Sequence, residues 1–598
     1  MDEKSKNLWK RSFTGRTALI TWLAVAVFTV MLGCFIIALG SYNGPLSDRL
    51  MTVMLFAGAL LLACLILIYI VWPLLRWLFW QHWRRTLFAL ACFATLIALF
   101  YAEENWRGKH NWEKFKREWE AKGEHFDYAS VIPPPVPDDQ NFALTPIVAS
   151  CYEHVLDKTG KRVSPQNPNV VNRLATSLQG SAVDLKNWPT NGNWLRQTMT
   201  DLRGWQQFYR TLATKTNEFQ IPAQPQSPAQ DVLLALSRYD SSIEELRTAS
   251  QLACSRFPLN YDADRPLVTL VPHLATLKRV SLVLQLRAIA ELQAGEADKA
   301  LADVKLSLRL IASIRTEPFL ISELVRIAMT EITLQPIYEG LAEHRWSDEQ
   351  LVALDAELAK LDFLADYQSV MRGERTKKIA IIDHLQKLQN YNEFSGLLSD
   401  FSPDDGNETL SKEATRSLYA AGFYLMPSGW FYQNELELSR LQQHWISDVV
   451  TPENHRVLTE KYREIDQSAN VWSQQPNRPW NLFAKLFSPA LGRTAIRSAR
   501  EQISVDLARA AIALERYRLA HREFPESLDV LVPHFVAQVP HDIIGGQPLK
   551  YRRTDDGQFI LYSVGWNQTD DGGVIGHHAN GIAPYFEAGD WVWRYPAK

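Results

Sequence analysis

Hydrophobic positions fall into three unbroken blocks near the start of the chain and into spaced helical stripes after them. Thr17 to Gly40 and Met51 to Leu75 carry no charge, and Thr86 to Ala102 forms a third, shorter run. About 20 residues of helix cross a hydrocarbon core, so the first two runs are long enough and the third is close to the limit. Each is expected to be a helix, because backbone polar groups have no water partner inside lipid. A cleaved signal peptide has a shorter apolar stretch and a small-residue cleavage site, neither of which the first run shows.

Beyond the third run the pattern changes. In NWRGKHNWEKFKREWEAKGE, Trp112, Phe115 and Trp119 recur three and four residues apart among charges, the stripe of an amphipathic helix. It lies either on the membrane surface or against the body that follows. The prolines of VIPPPVPDD (131–139) then favour an extended spacer. From residue 140 to about 490 the period is mostly helical. Residues 274–314 read as a helix, a break at Gly295 and a second helix, with Ala288, Gly295 and Ala300 spaced as in a tetratricopeptide pair, although no second copy follows. Further helices are expected over 317–339, over 347–361 with Ser347 and Gln350 forming a capping box, and over 365–390. Loops are expected at 402–406, 474–479 and 489–492.

Near Ala499 begins a long helix whose stripe runs through Ile503, Leu507, Ala510, Ala511, Leu514, Tyr517 and Arg518, and Pro525 prevents its continuation. The strands LKYRR and QFILYSV follow, bounded by Gly545-Gly546 and Asp555-Asp556-Gly557. The expected fold class is therefore mainly α with a C-terminal α+β part. Its divisions are a cytoplasmic tail (1–16), three transmembrane helices (17–102), an amphipathic juxtamembrane helix with the proline segment (103–139), a helical domain (140–490), and a long helix on a small antiparallel sheet (498–598).

Charge sets the expected orientation. Lys4, Lys6, Lys10, Arg11 and Arg16 precede the first run, the next loop has only Arg49, and the following loop has Arg76, Arg84 and Arg85, which places the N-terminus in the cytoplasm. Three crossings put the large C-terminal part outside, which is the periplasm if the cell is a Gram-negative bacterium. The basic residues Arg107 to Lys122 count against this, interleaved as they are with glutamates. Trp77, Trp80 and Trp83 suit an interfacial belt. The net charge of −3 provides no basic footprint, so nucleic acid is not an expected partner. Of the five cysteines, Cys34, Cys64 and Cys92 fall in the apolar runs. Cys151 and Cys254 lie beyond them, and an oxidising exterior permits a bond that sequence separation alone does not decide.

No catalytic motif is present: no His-Glu-x-x-His, Gly-x-Ser-x-Gly, phosphate loop, Cys-x-x-Cys or dinucleotide glycine triplet. His577 and His578 lie in a glycine-rich tail without further ligands, Asp262 and Asp264 belong to a turn-forming segment, and Glu374 with Arg372, Arg375, Lys377 and Lys378 reads as a solvated helix face.

From Ser498 to Gly573 the chain resembles the soluble domain of the major pseudopilin of type II secretion systems. The matching stretches are Tyr517-Arg518, Phe524-Pro525, Leu528-x-x-Leu531, Pro540-His541-Asp542, Gly546-x-Pro548-Leu549-x-Tyr551 and Leu561-Tyr562-Ser563-Val564-Gly565. That family's leader and adjoining membrane segment are not found before this helix. The resemblance implies a calcium loop at 565–573, where Asn567, Asp570 and Asp571 supply hard oxygens, a pattern that an ordinary solvated turn shares. Beyond residue 100 the chain is also similar to a family of bacterial membrane-anchored proteins sharing segments like IPPPVPDDQNF, FPLNYDADRP, LMPSGWFYQNE and LERYRLAHREFPESLDVLVP, which brings no activity with it. The expected function is a non-enzymatic envelope scaffold in the inner membrane. Its expected partners are the lipid bilayer and envelope proteins, among them secretion or pilus-like components. The alternative is an envelope hydrolase with a site between the helical and C-terminal parts.

Overall fold

The structure is a computed structural model and describes residues 83–151, 154–156, 162–165, 174, 178, 189–259, 261, 271–387, 423, 425–488, 492–577 and 584–596. The first two apolar runs lie outside the described residues, as do Cys34, Cys64, Trp77, Trp80, Asp262, Asp264, the 402–406 loop and His578. The fold is mainly helical with a small C-terminal antiparallel sheet region. Two compact units divide at Glu103 and Glu104.

Helix α1 (Trp83–Glu120) contains both the third apolar run and the amphipathic segment, which the sequence separates at residue 102. Nothing between them breaks a helix, since neither Pro nor a turn-forming pair occurs there. Among the described residues it is the helix long and apolar enough to cross a membrane. Its first part leaves Phe88 72% and Leu96 64% exposed.

In the second unit the stripe is buried. Trp112 and Phe115 pack with Phe126, Ile379 and Leu436, which corresponds to docking on the folded body. The proline segment is held, not free: Arg256 Nε donates to Pro133 O at 2.9 Å, and Phe142 N donates to Cys254 O at 2.9 Å. Short strands β1 (His154–Leu156) and β2 (Arg162–Pro165) pair antiparallel. Helices α2 (Leu202–Ala213), α3 (Pro228–Leu236) and α4 (Asp240–Ala249) precede the expected hairpin, which is α5 (Pro272–Ala294) and α6 (Ala297–Ser313). Gly295 ends α5 with φ of 82°, a left-handed cap that a side chain disfavours. After α7 (Leu320–Ala342), Ser347 and Gln350 make the expected capping box of α8 (Asp348–Leu358), and α9 spans Phe363–Lys387.

Helix α10 (Ser428–Ser447) crosses α1 at two glycines. A Cβ on Gly108 would stand 2.1 Å from Gly429 O, and one on Gly429 would stand 1.9 Å from Glu104 O. The backbones therefore touch with no side chain between them. Hairpin strands β3 (Val450–Thr451) and β4 (Arg456–Val457) lead to α11 (Thr459–Gln474) and α12 (Leu482–Phe487).

Helix α13 (Gly492–His521) begins earlier than its sequence stripe indicates and is buried on nearly every side from Thr494 to Glu515. Its polar face is covered because α7, α8 and α9 supply partners. Gln502 Oε1 accepts from Phe363 N at 2.9 Å, Arg509 pairs with Asp355 at 2.7 Å, and Arg516 pairs with Asp348 at 2.7 Å. Strands β5 (Lys550–Arg553), β6 (Phe559–Ser563) and β9 (Trp591–Arg594) form an antiparallel sheet in the order β5-β6-β9. One face presents Phe559 and Leu561 to the main core, while Ile560, Tyr562 and Val592 form a satellite cluster with Ile575 of the β7 (Ile575–His577) and β8 (Pro584–Gly589) ribbon. Trp593 is fully buried against Trp194 and Tyr338, whose hydroxyl donates to Arg594 O at 2.7 Å. One continuous core thus runs from Phe142 to Tyr595, across the division expected between residues 490 and 498.

A candidate site where histidines meet the long helix

The hairpin β3-β4 turns through Pro452–Asn454 and closes at His455, whose φ of 48° and ψ of 51° are left-handed. A non-glycine residue in that region carries strain of about 1–3 kcal/mol, so the surroundings must hold it. They do so through the loop that follows α13. Val457 N donates to Ile543 O at 2.9 Å, Arg456 Nη2 donates to Ile544 O at 3.2 Å, and His541 Nε2 lies 3.0 Å from His455 O. That loop is itself fixed by the buried Asp542, which accepts from Ile544 N, Ser563 Oγ and Val564 N, each at 2.9 Å.

These contacts set His455 beside α13. Its Nε2 stands 3.7 Å from Asp506 Oδ2, just beyond hydrogen-bond range, while Asp506 Oδ1 accepts from Gln502 Nε2 at 3.1 Å. The Asp506 carboxylate outweighs partial burial and raises the His455 pKa above its ordinary value. His541 lies across the ring at 5.7 Å, with His534 and Phe535 on the next wall. The resulting cleft holds about 600 Å³. Its polar lining consists of Asp355, His455, Asp506, Arg509, His534, Gln538 and His541, groups of which the histidines and aspartates can exchange protons with a bound molecule or water.

Of the sequence-predicted calcium residues, Asn567 and Asp571 meet each other and Asp570 turns to other partners. Asp570 Oδ1 accepts from the Tyr562 hydroxyl at 2.9 Å and from Gly572 N at 3.1 Å, and Lys550 Nζ lies 3.3 Å from its other oxygen. Asn567 turns its amide nitrogen to Asp571 Oδ2 at 3.0 Å, a donor where calcium needs an acceptor. Among the described residues no group of three or more His, Cys, Asp or Glu side chains could hold a metal ion. The Asn567, Asp570 and Asp571 side chains make a hydrogen-bonded turn, in which Asn567 Oδ1 also accepts from Thr569 N at 3.1 Å.

Of three other sequence readings, the open question of a Cys151–Cys254 bond is decided, the Glu374 face changes and His577 remains solvent-facing. Cys151 and Cys254 are both free, and burial pushes the Cys151 thiol up to about 12. The Glu374 region is no solvated face: Arg375 is fully buried, and burial lowers Lys377 and Lys378. Helical period shows which positions are polar, but not that Glu124 and the end of α1 cover them. His577 is exposed at the end of β7. The pairing of His455 with Asp506 was missed because it joins separate elements. Its only local signal is the turn Pro452–His455, and His541 was noted only within the resemblance. Comparison with known proteins gives no match to a family model, to a curated protein or to a solved structure.

Proposed function

We propose that the chain is an integral protein of a bacterial inner membrane, with its N-terminus cytoplasmic and its folded body extracytoplasmic, and that the body is a non-enzymatic scaffold for other envelope proteins. The observation that carries this reading is the change of character along α1. Its early residues are apolar and exposed, and within the second unit its Trp112 and Phe115 are sealed into a core. An exposed apolar helix of that length is costly in water and stable in lipid. The pseudopilin-like stretch makes secretion or pilus-like components the proposed partners, by analogy of sequence alone.

Two experiments test this. Alkaline extraction of membranes leaves the full chain in the pellet, and its release into the supernatant would refute the anchor. Photocrosslinkers at the exposed Val530 and Val574 are expected to trap the same secretion or pilus-like component in intact cells. If neither position yields a reproducible partner, the scaffold reading fails. Truncation near Ser498 is unsuitable, because it removes the buried helix around which the core is built.

The histidine cleft favours a second reading, a hydrolase in which water attacks the substrate and protonated His455, its charge favoured by the nearby Asp506, passes its proton to the leaving group while His541 takes the proton that the water loses. On that reading the His455→Gln protein loses about 10²–10⁴-fold in rate on chromogenic esters and phosphoesters. Equal rates for the variant and the parent chain would remove His455 from any reaction.

A further inference from the structure

Helices α4, α5 and α6 enclose a groove of about 720 Å³, away from the histidine cleft. Its floor is polar. Asp303 on α6 is fully buried and accepts from Arg247 Nη2 and Arg287 Nε, each at 2.9 Å. Arg287 also reaches Asp240, Arg247 lies 3.3 Å from Glu244, and Lys299 pairs with Glu296 at 2.8 Å. Each cation in the groove thus has a carboxylate neighbour, while the buried Arg247 Nε makes no hydrogen bond. Glu291 is different: it is 2% exposed and lines the groove, yet its Oε2 has no partner and its Oε1 has only Arg287 at 3.5 Å. Five carboxylates here, those of Asp240, Glu244, Glu291, Glu296 and Asp303, face three cations, those of Arg247, Arg287 and Lys299.

A buried acceptor left without a hydrogen bond is costly, and more so when charged, so a ligand that satisfies it gains affinity. We propose that this groove binds a primary ammonium group, seated on Glu291, with its aliphatic chain against Leu233, Ile243 and Ala302. Even with Glu291 protonated, four carboxylates against three cations leave a negative balance, which calls for a cation. The single free oxygen selects a compact ammonium over a guanidinium, whose planar fork needs two acceptors side by side. Burial, with the Asp303 charge, pushes the empty Glu291 carboxyl up to about 8, so the ligand drives out a proton near neutral pH.

Two sources share this chemistry, a free diamine and a lysine side chain of a protein. Calorimetric titration of the detergent-solubilised full chain with cadaverine, and separately with an acetylated Gly-Lys-Gly amide, distinguishes them, and choline serves as a control without an N–H donor. The expected result is saturable one-to-one binding of one or both, with proton release seen as a dependence of the enthalpy on buffer. Tighter cadaverine binding assigns a free amine, and tighter peptide binding assigns a lysine. Glu291→Gln is expected to weaken binding at least about tenfold, the scale of one charge-assisted hydrogen bond. Glu244→Gln, on the exposed rim where packing is undisturbed, weakens it about two- to threefold. Absence of saturable binding by either amine, or equal affinity for choline, overturns the proposal. So does unchanged affinity in a folded Glu291→Gln protein, or in Glu244→Gln should the first variant not fold.

Discussion

Replacing Glu501 by glutamine raises the unfolding midpoint of the full chain at pH 8 and changes it far less at pH 5. Glu501 is fully buried on α13, and neither of its carboxylate oxygens has a partner. Burial, with Glu323 adding to it and Arg500 opposing, pushes its pKa up to about 8. Below the ordinary carboxyl pKa of 4.5 both the folded and unfolded chains hold the proton, so the group exerts no pH-dependent effect. As the pH rises from there toward 8, the unfolded chain releases its proton while the folded chain retains it. The folded state therefore loses stability over that window, by up to about 5 kcal/mol at 1.36 kcal/mol per pK unit. Glutamine keeps the shape and cannot ionise. Any loss from its unpaired amide is the same at both pH values, so the difference between variant and parent isolates the ionisation. Differential scanning of the detergent-solubilised chain at pH 5 and pH 8 measures it. A difference that does not grow with pH would mean that Glu501 is ionised and paired in the folded protein.

The second large effect is expected at Glu124. Burial alone would raise this carboxyl, but Arg372 and Arg375 outweigh it and hold it below its ordinary value. Arg372 Nη2 donates at 2.9 Å and Arg375 Nη2 at 2.7 Å. Arg375 is fully buried, donates also to His125 O at 2.9 Å and lies 4.3 Å over the Phe126 ring. Glu124→Ala therefore leaves a buried guanidinium without its counter-ion and destabilises the fold by roughly 3–5 kcal/mol at pH 7. Adding Arg375→Met removes the stranded charge, so the double variant is expected to be more stable than Glu124→Ala alone. A depressed carboxyl contributes above its unfolded pKa of 4.5 and ceases to do so as the pH falls through its folded pKa. The gap between Glu124→Ala and the parent chain accordingly narrows in acid. Denaturant titrations of the three proteins decide the matter. A double variant no better than the single would show that Arg375 finds another partner.

Local chemistry in the sequence foretells local structure here. The α5-α6 hairpin with its break at Gly295, the Ser347 capping box and the C-terminal strands all rest on neighbours within a few positions, and all are present. What failed were readings that depend on distant coverage. The stripe on α13 marks one apolar face correctly, yet Ser498, Glu501, Gln502 and Asp506 are buried as well because α7, α8, α9 and the β3-β4 hairpin pack over them. The charged face of α9 is covered by the segment around Glu124 in the same way. The candidate site has the same character. His455 and Asp506 meet only after a hairpin and a loop from separate parts of the chain have closed, and no spacing in the sequence encodes that. The calcium residues are adjacent in sequence, yet Asn567 bonds to Asp571 while Asp570 turns to Tyr562, which spacing does not foretell.

The glycine crossing of α1 and α10 also imposes a timetable on synthesis. Asn105 and Gly429, joined by a hydrogen bond of 2.8 Å at that crossing, are 324 residues apart. At 5–20 residues per second a ribosome needs about 15–65 s to travel from one to the other. Throughout that interval the Trp112 and Phe115 face of α1 has been made and its seat on α10 has not. Until then the nascent chain carries an aromatic stripe that lacks its α10 partner Leu436, which is when a chaperone or a lipid surface has its opportunity to hold it.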